Sequence, residues 1–244
     1  MNKNKKDHIY SNSLDQVSNF VFDEQVANVF DDMINRSVPG YQNIIAGIGV
    51  LAQRYAQENS VCYDLGCSLG ASTLIMRQCI EQKGVRIVSV DNSEAMVKHC
   101  QENVKKGQRN ISVEVVCDDI KNVEIKNASM VVLNFVLQFI NPVERCALLK
   151  NIYEGMEEGG VLILSEKITF QHKDEQEFLV DMHHAFKKMK GYSDLEISQK
   201  RTALENVLVP ETFAEHNKRL KEVGFHKVYL WFQYFNFVSI LAIK

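Results

Sequence analysis

The sequence predicts an α/β fold: a seven-stranded, mostly parallel sheet with helices on both faces. Three observations predict it. Short apolar runs at 61–65, 86–90, 112–117, 130–136 and 161–165 alternate with helical patterns near 71–83, 93–106 and 142–156. Successive runs lie roughly 25–30 residues apart, the size of a strand–helix–strand unit. The first run closes on Asp64-Leu65-Gly66-Cys67-Ser68-Leu69-Gly70, and the second closes on Asp91. A glycine turn and a carboxylate thus stand at neighbouring strand tips, where parallel α/β sheets hold their ligands.

The elements follow in order. Residues 1–22 read as a polar, partly ordered arm. From Asp23 to Arg36, Val26, Val29, Phe30 and Met33 share one helical face. Pro39-Gly40 breaks the chain, and Tyr41 to Gln57 reads as a second helix with Ile44, Ile45, Ile48, Leu51 and Tyr55 inward. The five strands that follow are rich in Val and Ile without clean alternation, as expected where helices cover both faces. The pattern breaks at Glu166: 167–207 carries no strand signal, only helical runs from Glu175 to Lys190 and Ser193 to Leu208. Pro210 opens a helix to about Val223 that stops at Gly224. Strands at 227–234 and 237–243, joined near Asn236, make an antiparallel hairpin at the sheet edge. We read one domain over 1–244: arm and helices (1–57), core sheet (58–165 and 208–244) and a helical lid insertion (166–207).

Composition bounds the function. The 244 residues carry a net charge of −3, so no global field draws nucleic acid or acidic membrane. The six cysteines form no CxxC pair, which reads as a cytoplasmic chain with free thiols. His183-His184 lacks zinc-ligand spacing, and no metal site is expected. The polar N-terminus has no apolar segment behind it, and no apolar run is long enough to span a bilayer.

The chemistry sits at the strand tips. Gly66 lets the backbone turn and lets a ligand approach where a Cβ would collide, with Cys67 and Ser68 completing the turn. Backbone N–H groups at the start of the next helix are expected to be free for a polar ligand group. Asp91 suits the two hydroxyls of an unphosphorylated ribose, and Asn92 lies beside the base. After the third strand, Asp119 can accept from an adenine amino group while the Ile120 N–H donates to a ring nitrogen. Asp119 is preferred to Asp118, which still belongs to the strand. Asn134, a polar residue inside a buried run, either is paired within the core or meets the amino-acid end of a cofactor. Lys200-Arg201 in the lid reads as a solvated helix face or as a grip on a carboxylate.

Other chemistries compete. Gly66 to Gly70 fits G-x-S-x-G, with Ser68 as nucleophile and Asp119 and His226 in chain order. Against it, the turn follows the first strand and no His-Gly-Gly loop precedes it. A dinucleotide wants a second glycine where Ser68 stands, for close approach to a pyrophosphate. A sulfonium cofactor has no phosphates, so S-adenosyl-L-methionine is preferred to NAD. A non-catalytic module that holds this cofactor remains a third reading.

Val61 to Gly70, Val88 to Asn92, Asp118-Asp119-Ile120 and Leu149 to Leu164 resemble the motifs of class I S-adenosylmethionine-dependent methyltransferases, with their Rossmann-like sheet. A narrower likeness spans almost the whole chain. Phe20-Val21-Phe22-Asp23, Ser37 to Tyr41, Asp64 to Gly70, Glu196 to Arg201 and Leu230 to Gln233 resemble the carboxy-S-adenosyl-L-methionine synthase family. That resemblance implies conversion of S-adenosyl-L-methionine and prephenate to carboxy-S-adenosyl-L-methionine and phenylpyruvate, for tRNA wobble-uridine modification. The tRNA itself goes to a separate enzyme, so no direct tRNA binding is implied. It places Tyr41, Gly66, Cys67, Ser68, Asp91, Asn92, Asp119, Ile120 and Asn134 in the cofactor site. It also implies a homodimer in which Arg201 reaches across to the added carboxylate. An ordinary small-molecule methyltransferase is the alternative within the fold.

Overall fold

A computed structural model of the chain describes residues 6–107 and 111–244. The N-terminal segment leads into α1 (Glu24–Ala27), α2 (Phe30–Ser37) and α3 (Tyr41–Tyr55). Strands and helices then alternate: β1 (Val61–Leu65), α4 (Ala71–Cys79), β2 (Arg86–Asp91), α5 (Glu94–Lys106), β3 (Ser112–Cys117), β4 (Ala128–Asn134), α6 (Pro142–Gly155) and β5 (Met156–Lys167). Two helices, α7 (Lys173–Met189) and α8 (Asp194–Leu204), come before α9 (Phe213–Val223), β6 (Lys227–Tyr234) and β7 (Phe237–Ile243).

The sheet has seven strands in the order β3-β2-β1-β4-β5-β7-β6. Strand β7 runs antiparallel to both its neighbours, β5 and β6, and the other pairs are parallel. The central strands are apolar on both faces because each face meets helices. On β1, Val61, Tyr63 and Leu65 enter one core cluster while Cys62 enters the other. Where pattern alone is weak, local capping fixes the helix ends. Ser193 with Glu196 caps α8, and Thr212 with Glu215 caps α9, each side chain satisfying the other's free N–H.

Several sequence boundaries move, each for a physical reason. The helix expected over 23–36 is two helices, because Val29 leaves helical geometry between α1 and α2. The helix expected over 71–83 stops at Cys79, where Ile80 turns to extended backbone. The strand expected over 130–136 ends at Asn134, because Phe135 adopts φ +64°. The 161–165 run extends in both directions to Met156–Lys167. Pro210 lies outside α9, whose cap is Thr212. The arm is less polar in its role than in its composition: Asp7, Tyr10 and Phe20 are buried. Residues 1–5 of that arm lie outside the described residues. No helix is long and apolar enough to cross a membrane, among the described residues.

One buried cation ties the α6 face together. Arg145 is fully buried and donates to the carbonyls of Ile140 at 2.9 Å and Val209 at 2.8 Å. It also pairs with Glu211, which pairs in turn with Arg219. Arg145→Met should destabilise the fold by about 3 kcal/mol or more, because it strips donors from buried acceptors and half-unpairs Glu211. The check is the urea midpoint, which an unimportant Arg145 would leave unchanged.

Candidate active site

The C-terminal tips of β1, β2 and β4 open into a cavity of about 460 Å³. Tyr41, Gly66, Cys67, Ser68, Asp91, Asn92, Asp119, Ile120 and Asn134 all line it. These nine residues come from α3, three strand ends and the segment after β3, and the parallel sheet brings them together. Arg201 does not join them. It is exposed on α8, outside the cavity of its own chain, although its charge reaches the cavity residue Lys167. Asp118 does not line the cavity either. Its carboxylate turns back to accept from the Asp119 N–H and the Asn122 amide.

The Gly66, Cys67 and Ser68 N–H groups of the glycine turn are already bonded, while those of Ala71 and Ser72 at the start of α4 have no hydrogen-bond partner among the described residues. Gly66 and Cys67 donate to the Val90 carbonyl at 2.7 and 2.9 Å. The Ser68 N–H donates to Asp91 Oδ2 at 2.9 Å, and the Ser93 N–H to Oδ1 at 3.0 Å. The neighbouring strand therefore consumes the Gly66, Cys67 and Ser68 donors. What the turn offers is close approach: Gly66 sits at φ +82°, and a Cβ there would collide with the Val136 side chain. Ser68 also takes a positive φ, +50°, and its hydroxyl contacts the Met96 thioether at 3.5 Å rather than an imidazole. That pairing is no nucleophile–base couple.

Two polar atoms are available to a ligand. Asn134 Oδ1 is buried with no hydrogen-bond partner, so the core does not satisfy this amide. The Tyr41 hydroxyl also makes no hydrogen bond among the described residues, and burial raises its pKa. Burial likewise raises the Asp91 carboxyl, against the pull of its two N–H donors. Asp91 keeps lone pairs for a vicinal diol. An adenosine with an amino-acid arm is chemically compatible with these groups.

The cavity also takes residues that the sequence does not assign to a site. Phe20, Phe22, Phe30 and Phe139 form one wall, with Phe22 edge-on to Phe20 at 5.1 Å and to Phe139 at 5.4 Å. Two of them come from the arm, whose polar composition hid them. Phe135 packs between Tyr41 and Phe237, and its positive φ swings it into the cavity wall. Glu166, where the sequence pattern broke, is fully buried and accepts from the N–H groups of Leu137 and Gln138, both at 2.9 Å. It holds the segment that follows Asn134. Burial lifts its carboxyl to about 8, against the Gln138 N–H and the Arg145 charge.

The far half of the cavity is cationic. Lys167, Lys187, Lys200 and His183 line it. Burial, then Lys200 and Lys167, pushes Lys187 down to about 7. Burial pushes Lys200 down to about 8, against the pull of Asp7. His183, lowered to about 2 by burial and the charge of Lys187, stays neutral, with Nε2 2.8 Å from the Ser37 carbonyl oxygen. Arg36 lies outside the cavity and bonds the Lys190 and Asp7 carbonyls.

A family model described as "Methyltransferase domain" matches residues 62–160. A carboxy-S-adenosyl-L-methionine synthase of Pasteurella multocida is 53% identical over 239 residues, 98% of this chain and 99% of that protein. The synthase of that name from Vibrio campbellii is 54% identical over 242 residues, 99% of each chain. Among solved structures, the magnesium protoporphyrin IX methyltransferase of Synechocystis PCC 6803 with bound SAH matches with a TM-score of 0.60. That match has 16% identity and covers 87% of each chain. Human N-acetylserotonin methyltransferase in complex with SAM also matches at 0.60, with 17% identity, covering 91% of this chain and 55% of that one. At these identities the structural matches speak to fold alone.

Two predictions follow from the geometry. Gly66→Ala should destabilise the chain by about 1–3 kcal/mol, through a strained positive φ and the clash with Val136, read by urea unfolding. The second concerns pH. The folded value of Lys187 is about 7 against an ordinary 10.5, so between those values the unfolded chain binds more protons and stability rises with pH. Lys187→Met should therefore raise the denaturant midpoint at pH 7 and flatten its rise toward pH 9. An unchanged slope would show that Lys187 is not a buried, uncompensated cation.

Proposed function

The chain belongs to the carboxy-S-adenosyl-L-methionine synthase family, and on that premise we propose that it carboxylates S-adenosyl-L-methionine at the methyl carbon, with prephenate as carboxyl donor. The observation that carries the reading is the convergence of nine separate sequence positions on one cavity that continues beyond them. The first half suits the sulfonium substrate. The second half, walled by α2, α7 and α8, leaves room for another.

The reaction balances without an added oxidant. Prephenate loses carbon dioxide and hydroxide as its ring becomes aromatic, which yields phenylpyruvate. The hydroxide leaves as water with one proton from the methyl group, and the carbon dioxide ends on that carbon. The bound sulfonium substrate supplies the acidic methyl group. The chain's residues bind, orient and exclude water. Asp91 holds the ribose, and Asp119 with the Ile120 N–H holds the adenine. Asn134 and Tyr41 meet the amino-acid arm. The buried phenylalanine wall keeps bulk water away from a reacting carbon that must meet carbon dioxide first.

We assign Arg201 to the new carboxylate, supplied by a second copy of the chain. Its exposure on α8, away from its own cavity, supports that arrangement. So do the exposed side chains of Phe178, Met189 and Leu195 on the same two helices, an apolar surface suited to a partner. In this reading α7 and α8 act as the lid. The carboxylated product then serves tRNA wobble-uridine modification through a separate enzyme.

Incubation with S-adenosyl-L-methionine and prephenate, followed by mass spectrometry, tests the proposal. The expected outcome is carboxy-S-adenosyl-L-methionine and phenylpyruvate in equal amounts. S-adenosylhomocysteine as the sole cofactor product would instead mean an ordinary methyltransferase. Asn134→Ala should weaken S-adenosyl-L-methionine binding by about tenfold or more. Arg201→Ala should leave that affinity in place and abolish the carboxylated product, and full product formation would refute its role.

A further inference from the structure

The far half of the cavity holds more positive charge than the fold compensates. Lys167 ends β5, Lys187 lies on α7 and Lys200 on α8, yet all three face one space. Lys187 is 8% exposed and Lys200 is 5% exposed. Lys200 has partners: Asp7 Oδ2 at 3.6 Å and Ser37 Oγ at 3.1 Å. Among the described residues, the ammonium groups of Lys167 and Lys187 have no hydrogen-bond partner and no ion pair. The charges that face them are of the same sign. Lys167 and Lys200 act on Lys187, and Arg201 acts on Lys167. His183 and His184, beside them, are both lowered and add no negative charge.

Removing one ammonium from water costs several kcal/mol when nothing pairs with it. Two such groups in one cavity are retained when an anion completes them. The same cavity is lined by apolar and aromatic side chains as well, among them Ile34, Val38, Phe135 and Phe237. We propose that Lys167 and Lys187 form a seat for a small dicarboxylate with a ring-sized apolar body, each unpaired ammonium taking one carboxylate. The count follows from the partners, because Asp7 already answers Lys200. Lysine suits the task as a compact point charge that can meet either oxygen of a carboxylate. A macromolecular polyanion is excluded by the burial of Lys187. The depressed values of Lys187 and Lys167 agree with a site awaiting negative charge. The inference rests on the two-substrate reading and assigns its second subsite.

The test is calorimetric titration of the full chain loaded with S-adenosyl-L-methionine. The probes are prephenate and phenylsuccinate, each with two carboxylates, and 3-phenylpropionate, with one. Both dicarboxylates should bind, and Lys167→Met and Lys187→Met should each weaken them by about tenfold or more. The affinity for S-adenosyl-L-methionine should stay within about twofold, and Lys187→Arg should restore most of the loss. Should a Met variant fail to fold, Lys187→Gln against Lys187→Arg makes the same comparison. If phenylsuccinate binds through the lysines while prephenate neither binds nor reacts, the seat stands and the prephenate reading falls. Dicarboxylate binding that ignores both lysines, or no dicarboxylate binding at all, overturns the seat, even if prephenate is turned over.

Discussion

The reversal of strand order at the centre of the sheet is the constraint on which the rest depends. Strand β1 lies between β2 and β4, so the chain proceeds outward on one side of β1 and later outward on the other. The connections leaving β1 and β4 diverge, and a crevice opens at their C-terminal tips. Nine of the ten candidate site residues are gathered there, Arg201 excepted. Asp91 closes one side by accepting the Ser68 and Ser93 N–H groups, which fixes the tip of β2 against the turn after β1. Glu166 closes the other side by accepting from Leu137 and Gln138, which fixes the tip of β5 against the segment after β4. Two carboxylates, Glu166 fully buried and Asp91 half-buried, thus brace the two sides of the cleft.

This arrangement gives the two parts of the cleft different chemical groups. The part of the cleft near β1 and β2 carries the Asp91 and Asp119 carboxylates, and the Gly66, Cys67 and Ser68 N–H groups of its turn are already bonded. The half under α7 and α8 carries unpaired lysines and aromatic walls. A cationic sulfonium and an anionic partner would meet at the junction, near Tyr41 and Phe135. Phe135 holds a backbone conformation that side chains rarely adopt, at φ +64°, and such strain commonly sits where function requires it.

Much of this was legible in the sequence, because parallel sheets leave a period of their own. The bounds of β1, β3, β6 and β7 match the apolar runs, and eight of the nine expected positions that line the cavity follow from residues at strand tips, while Tyr41 on α3 comes from the family resemblance alone. The end of β4 was not legible, since nothing in Leu-Asn-Phe-Val announces a phenylalanine at positive φ. Nor was the state of the turn's N–H groups, which depends on how β2 pairs beside it. The phenylalanine wall and the lysine seat were hidden for a related reason. Phe20 and Phe22 lie in a segment of polar composition, and Lys167, Lys187 and Lys200 come from three different elements. Lys167 and Lys187 alone read as solvated surface charges, Lys200 alone carries a second reading as a grip on a carboxylate, and all three line one cavity in the fold.

The central claim is that one cavity joins a carboxyl group from a second substrate to the sulfonium methyl carbon. It is tested most directly by isotopes: S-adenosyl-L-methionine with a deuterated methyl group, incubated with prephenate labelled with carbon-13 at its ring carboxylate, and followed by mass spectrometry. The account predicts a product that carries the labelled carboxyl and has lost a single methyl deuteron, alongside unlabelled phenylpyruvate. Transfer of the intact deuterated methyl group to an acceptor, leaving S-adenosylhomocysteine, would contradict it.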